Sequence, residues 1–113
     1  MSVTDASAYL PLTPAVFQVL VALADEERHG YALLKAVEEQ SGGGVRLSTG
    51  TLYGIIRRLL DAGLIAERTT RDGRRLYKLA AFGRDVARAE ADRLEALLGT
   101  ARATRALRRP ATS

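Results

Sequence analysis

Between Leu47 and Leu79 the chain sets a capped helix carrying two arginines directly before a short basic hairpin, an order that narrows the possible folds more than any other feature. Ser48 is an N-cap residue type, and Leu52, Ile55, Ile56, Leu59 and Leu60 recur at the three-and-four spacing of a buried helical stripe. Gly50, Tyr53, Gly54, Arg57 and Asp61 fall on the opposite face, and Ala62-Gly63 stops the helix. Asp72-Gly73 then predicts a hairpin closed by a type I′ turn, whose two central residues both need positive φ. Its flanks are rich in Thr, Ile, Leu and Tyr, as strands are, and its tip carries Arg71, Arg74 and Arg75. A helix with a small, hydroxyl-rich first turn fits the major groove of DNA. A basic hairpin beside it reaches the neighbouring phosphates. The pair predicts a winged helix-turn-helix DNA-binding domain.

The residues upstream complete that layout. Thr13-Pro14 is a cap followed by proline at the first helical position, and the helix it opens is apolar nearly all round through Ala24, which predicts a buried spine. Asp25 to Gly30 reads as a polar turn, and Tyr31 to Gln40 as a second helix with Leu33, Leu34 and Val37 on one face. Gly42-Gly43-Gly44 lacks both a preceding strand and a following Gly-Lys-Ser/Thr, so it reads as a helix terminator rather than a phosphate loop. Helices two and three, joined by this turn, form the helix-turn-helix.

Past the hairpin the chain reads as one long helix from Ala81 to about Arg108. Ala87, Ala91, Leu94, Leu98 and Ala101 follow the seam spacing of a coiled coil, and Leu97 widens the stripe. This helix either pairs two copies of the chain or folds back on its own domain; its small seam residues favour the dimer. The expected fold class is thus mainly α with a small β-hairpin: an arm over residues 1–12, a winged helix-turn-helix domain over 13–80, a dimerisation helix over 81–108 and a disordered tail over 109–113.

Charge supports a polyanionic partner. Residues 1–45 hold two basic and six acidic side chains, a net of −4, whereas residues 46–113 hold 15 basic and seven acidic ones, a net of +8. With no cysteine and a single histidine among 113 residues, neither a disulfide nor a transition-metal site is expected, and no cofactor is implied. No apolar run approaches the roughly 20 residues of a membrane span. The chain reads as one cytoplasmic domain without a membrane partner. An enzyme is disfavoured because His29 lies in a polar turn without an identifiable serine partner, and the carboxylates sit on solvated helix faces.

Within the expected interface, Ser48, Thr49 and Thr51 offer hydroxyls at the helix start. Tyr53 either packs on a sugar or thymine methyl or is a buried structural residue. Arg57 is the candidate for reading guanine or clamping a phosphate; Arg58 can instead pair with Asp61 or Asp92. Arg71, Arg74 and Arg75 reach phosphates, while His29 and Tyr31 read as capping and packing residues. The rival reading is a protein-interaction module that binds DNA only without sequence preference.

The third helix and hairpin resemble the PadR family of winged helix-turn-helix transcriptional regulators. The resemblance spans about residues 10–85 and rests on His29-Gly30-Tyr31, Ser48-Thr49-Gly50-Thr51-Leu52-Tyr53, Arg57-Arg58-Leu59 before Leu64-Ile65, and Gly73-Arg74-Arg75-Leu76-Tyr77-Lys78-Leu79. Thr49 and Gly54 replace prolines usual in the family, and Ala80-Ala81 replaces its threonine-proline before the last helix. The single helix after the wing resembles the short PadR type, which implies a homodimeric repressor on a double-stranded operator built as an inverted repeat. The resemblance also implies a small aromatic or drug-like effector near the dimer interface, where Tyr9, Leu10, Phe17, Leu94 and Leu98 are candidate lining residues. Some short members stack flat ligands on a tryptophan of the last helix; this chain has none.

Overall fold

In the structure, a computed structural model describing residues 5–110, two of the four α-helices, α1 and α3, begin at side-chain caps. Helix α1 (Pro14–Asp25) starts at Thr13, whose side chain accepts the Val16 amide at 3.2 Å. Helix α2 spans Gly30–Gln40 and α3 spans Thr49–Asp61, the latter capped by the Ser48 hydroxyl on the Thr51 amide at 3.1 Å. At the end of α3, Gly63 takes a φ of 77°, and the Leu64 and Gly63 amides donate to the Leu59 and Leu60 carbonyls. This paired closure satisfies the last carbonyls and turns the buried Leu64 into the core.

Two strands of the sheet form the wing, β2 (Ile65–Thr69) and β3 (Arg75–Leu79), antiparallel with Ile65 opposite Leu79 and Glu67 opposite Tyr77. The segment expected to be only a polar turn supplies a further strand, β1 (Arg28–His29), which pairs with β3 and makes it the central strand. The wing tip also differs from expectation. Gly73 donates to the Thr70 carbonyl, Thr70 donates to the Arg74 carbonyl, and Gly73 alone has a positive φ, 83°. The loop is therefore three residues closed on a left-handed glycine, not a two-residue type I′ turn.

The core is the meeting place of α1, α2, α3 and the inner face of the sheet: Val19, Leu20, Leu23, Leu33, Val37, Leu52, Ile55, Ile56, Leu59, Ile65, Tyr77 and Val86 are all buried. The spine helix α1 is not sheathed all round, since Val21 and Ala24 face solvent.

Helix α4 spans Ala81–Ala103, ending five residues short of the expected Arg108; a single 3-10 turn, Arg105–Leu107, follows it. Its first half docks on its own domain through the buried Gly83, Val86 and Glu90. Its second half projects, with Leu94, Leu97 and Leu98 exposed by 37%, 56% and 55%. Residues 5–12 of the arm fold along α4, with the Tyr9 ring edge-on to Phe82 at 5.5 Å between centroids and Leu10 and Leu12 against the core. Residues 1–4 of the expected arm and 111–113 of the expected tail lie outside the described residues. Among the described residues, no helix is long and apolar enough to cross a membrane.

Candidate nucleic-acid interface

The first turn of α3 is exposed from Ser48 to Thr51. Ser48 not only caps the helix but donates its hydroxyl to Thr51 Oγ1 at 2.9 Å, so these two groups are preset relative to each other while the Thr49 side chain is left to solvent. One turn later Tyr53 is 42% exposed, which removes the buried-tyrosine alternative. Its ring lies over Gly30: a Cβ at that position would fall 2.9 Å from Tyr53 Cζ and closer still to the hydroxyl. Glycine at the start of α2 is what lets Tyr53 lean across from α3. Arg57 is exposed one turn further along the same face. Neither Arg57 nor Arg58 forms an ion pair among the described residues, so Arg58 has neither of its two expected partners.

The wing faces this helix across two adjoining clefts. One, of about 140 Å³, is lined by Tyr53, Ile56, Arg57, Leu60, Glu67, Arg75 and Tyr77. The other, of about 380 Å³, is lined by His29, Gly30, Tyr53, Arg74, Arg75 and Tyr77. Tyr53, Arg75 and Tyr77 are common to both, so α3 and the wing form one continuous concave surface. Burial pushes the Tyr77 hydroxyl above the ordinary tyrosine pKa, keeping it protonated on the floor of that surface.

The wing arginines are not equivalent. Arg75 reaches Glu67 on β2 at 3.7 Å, and Arg68 reaches Glu27 at 3.5 Å. Arg71 and Arg74 form no ion pair among the described residues and stand exposed at the tip. The tip itself is braced by the Thr70 hydroxyl, which bonds the Asp72 carboxylate and holds its pKa below the ordinary aspartate value. Of the candidate DNA contacts, Ser48, Thr49, Thr51, Tyr53, Arg57, Arg71, Arg74 and Arg75 are all exposed, but Arg75 shares its charge with a glutamate.

His29 does not act as the capping residue expected from its place in the polar turn. It stands at the N-cap of α2 but makes no side-chain cap; Nδ1 instead meets the Arg75 carbonyl at 2.8 Å. Strand β1 creates that contact, and two residues of strand carry no periodicity that could have signalled it.

The other expected sites divide differently. Ala87 packs against the domain core, whereas Ala91, Leu94 and Leu98 are exposed and Ala101 is half-buried. Phe17 and Leu94 line one groove of about 340 Å³ with Leu12, Pro14, Gln18, Glu90 and Arg93. Tyr9 lines a separate groove with Leu12, Val16, Arg58, Leu59, Ala62 and Leu64, and Leu10 and Leu98 line neither. Between arm and α4, the buried Glu90 carboxylate accepts the Leu12 amide at 3.1 Å and the Arg93 guanidinium at 2.5 and 3.0 Å. The Arg93 hydrogen bonds hold its pKa below the usual glutamate range.

Four helices, a three-stranded antiparallel sheet with a two-stranded wing, and an exposed, hydroxyl-capped third helix define a winged helix-turn-helix fold of the DNA-binding class. The chain belongs to the PadR-like family of transcriptional regulators, whose pattern matches residues 19–89. Among solved structures it is similar to RosR of H. salinarum, at 28% identity over 88% of this chain and 86% of that one, with a TM-score of 0.65. It is also similar to a PadR family regulator from Eggerthella lenta DSM 2243, at 27% identity over 77% of this chain and 80% of that one, TM-score 0.64. Bacillus subtilis PadR in complex with operator DNA shares the fold at 24% identity, covering 74% of this chain and 48% of that one, TM-score 0.60. A curated relative, an uncharacterized 37.1 kDa protein in transposon TN4556 of Streptomyces fradiae, is 38% identical over 81 residues, or 72% of this chain. The chain spans 23% of that relative's length.

Proposed function

We propose that this chain is a cytoplasmic homodimeric repressor that binds an inverted-repeat operator in double-stranded DNA. The observation that carries the reading is the continuous concave face shared by α3 and the wing, with Tyr53 and Arg57 on one side and Arg74 and Arg75 on the other. In this reading residues 13–80 bind DNA. Helix α3 enters the major groove; Ser48, Thr49 and Thr51 meet phosphates and base edges, Tyr53 packs on a sugar or thymine methyl, and Arg57 reads guanine. Arg71 and Arg74 grip phosphates from the wing, with Arg75 a weaker third. A second copy covers the projecting half of α4, because Leu94, Leu97 and Leu98 together leave an apolar stripe that water otherwise wets. The groove holding Phe17 and Leu94 lies beside that stripe and suits a small aromatic effector, whose binding would tie release of DNA to the spacing of the two copies.

The test is a pull-down of genomic fragments with purified protein at about 150 mM salt, read by sequencing. The expected result is an enriched inverted repeat with half-sites spaced by about 10 base pairs or a multiple of that. Uniform weak recovery would overturn the reading in favour of a protein-interaction module.

A further inference from the structure

His29 is the only histidine in the sequence, and it lines a cleft with Arg74 and Arg75. Its Nδ1 lies 2.8 Å from the Arg75 carbonyl oxygen. A carbonyl only accepts hydrogen bonds, so Nδ1 carries the proton of that bond. Nε2 is then the ring nitrogen left for a ligand, and in the neutral ring it is a bare acceptor. The cleft that His29 lines is about 380 Å³, large enough for a phosphodiester, and Arg74, Arg75, Tyr53 and Tyr77 complete its wall.

We propose that this cleft seats a backbone phosphate of bound DNA between Arg74, Arg75 and His29, and that His29 closes the seat as an imidazolium, so that DNA binding takes up one proton. The inference rests on the DNA-binding reading and adds a site and a linkage to it. The proton is required by hydrogen-bond chemistry: a phosphate oxygen accepts, so Nε2 must donate, and with Nδ1 committed to Arg75 it can donate only after gaining a proton.

The groups around the ring leave the phosphate as the natural counter-charge. From β3 and the turn before it come Arg74, Arg75 and Tyr77; from α3 comes Tyr53. On β2, Glu67 is occupied by Arg75 and Arg68 by Glu27. Within its own segment, Arg28 is tied to Asp25, Glu26 and the Ala22 carbonyl, and Tyr31 lies under Lys35. No carboxylate lines the cleft itself.

A lone histidine gives a single set of imidazole resonances, so the test needs no assignment by mutation. The His29 ring of the full chain is titrated by NMR between about pH 6 and about pH 8, alone, with a duplex of arbitrary sequence at low salt, and with inorganic phosphate at matched ionic strength. The expected result is a titration displaced to higher pH by the duplex and little displaced by phosphate alone. Kd for the duplex should then weaken with rising pH by up to about tenfold per unit, and His29→Gln should flatten that dependence. The substitution also separates His29 from the terminal amine, which titrates in the same range. A duplex that binds without displacing the titration, or a His29→Gln chain that keeps the pH dependence, overturns the proposal while leaving DNA binding intact. An equal displacement by inorganic phosphate assigns the seat to the free ion and overturns its assignment to DNA. Failure to bind any duplex at low salt overturns this proposal and the regulator reading together, whereas duplex binding without operator preference overturns only the latter.

Discussion

Gly83 of α4 lies directly against the carbonyl group of Leu64, so that a Cβ at Gly83 would overlap the Leu64 oxygen and come within 2.8 Å of Leu79 Cδ1. The same carbonyl accepts the Ala80 amide at 3.0 Å, so both the start of α4 and its first turn are registered on the turn leaving α3. Gly83→Ala must therefore push backbone against backbone. Overpacking of this kind costs about 1–3 kcal/mol, and the upper end is expected because no side chain can swing aside. Urea unfolding would show it as a lower midpoint; an unchanged midpoint would mean that α4 is free to lift from the domain.

Glu90 makes the second fastening of α4, to the Leu12 amide and Arg93, with its carboxyl held below the usual glutamate pKa by the Arg93 hydrogen bonds. A carboxyl whose folded pKa is depressed stabilises the fold above its unfolded pKa and loses that contribution as pH falls through the folded one. Glu90→Gln should be less stable than the parent chain at neutral pH, and the gap should close in acid, below about pH 4. Thermal melts of both chains across that range check it. A gap independent of pH would mean that the carboxylate charge contributes nothing at this joint.

Arg57 has no ion-pair partner among the described residues and stands on the exposed face of α3. If it makes a bidentate contact with guanine, Arg57→Ala should lose about 1–3 kcal/mol of operator affinity and relax sequence preference at one base pair. Titration of labelled operator and a single-substitution panel at fixed salt give both numbers. Equal losses on every sequence would reassign Arg57 to a phosphate.

The wing offers a sharper comparison. Arg74 has no ion pair among the described residues, whereas Arg75 is already partly neutralised by Glu67, so Arg74→Gln should flatten the slope of log Kd against log salt by about one unit and Arg75→Gln by less. Glu67→Gln should do the opposite and tighten binding at low salt. Equal slopes for Arg74→Gln and Arg75→Gln would show that the Glu67 pair opens on DNA.

These differences mark where the sequence is transparent and where it is not. Helix α3 was legible because everything that makes it is local: the Ser48 cap, the Leu52-to-Leu60 stripe and the Gly63 stop. The turn chemistry at Asp72-Gly73 announced a hairpin but not its loop length, because a left-handed glycine serves both the two-residue and the three-residue closure. Strand β1 was hidden, since Arg28 and His29 become strand only by meeting Tyr77 and Leu76 of β3, 49 and 47 positions away. The Arg75–Glu67 pair is diagonal across β2 and β3 and depends on a register that places Glu67 opposite Tyr77. Glu90 is the plainest case. On a helix wheel it is a solvated charge; only the Leu12 amide, 78 positions away, makes it a buried anchor. The early end of α4 has a local cause: the Thr100 and Thr104 hydroxyls donate to the Ala96 and Thr100 carbonyls. Such back-bonding competes with the helix ladder and loosens its last turn.

The proposed dimer is tested most directly on the projecting half of α4. The seam expected from spacing is divided by the fold: Ala87 and Val86 belong to the domain, and the stripe that remains free is Leu94, Leu97 and Leu98 with Ala91 beside it. A twofold pairing of this stripe buries each leucine twice, once per copy. Fully burying a leucine is worth about 1.5–3 kcal/mol, so Leu98→Gln, which keeps the helix but not the apolar contact, should weaken the dimer by on the order of 3 kcal/mol, roughly a hundredfold. Sedimentation equilibrium of both chains measures it. Lys35→Gln, an exposed change in α2 outside the stripe, is the control and should leave the dimer unchanged. If Leu98→Gln also leaves it unchanged, the copies pair elsewhere, and the operator half-sites would no longer be spaced by α4.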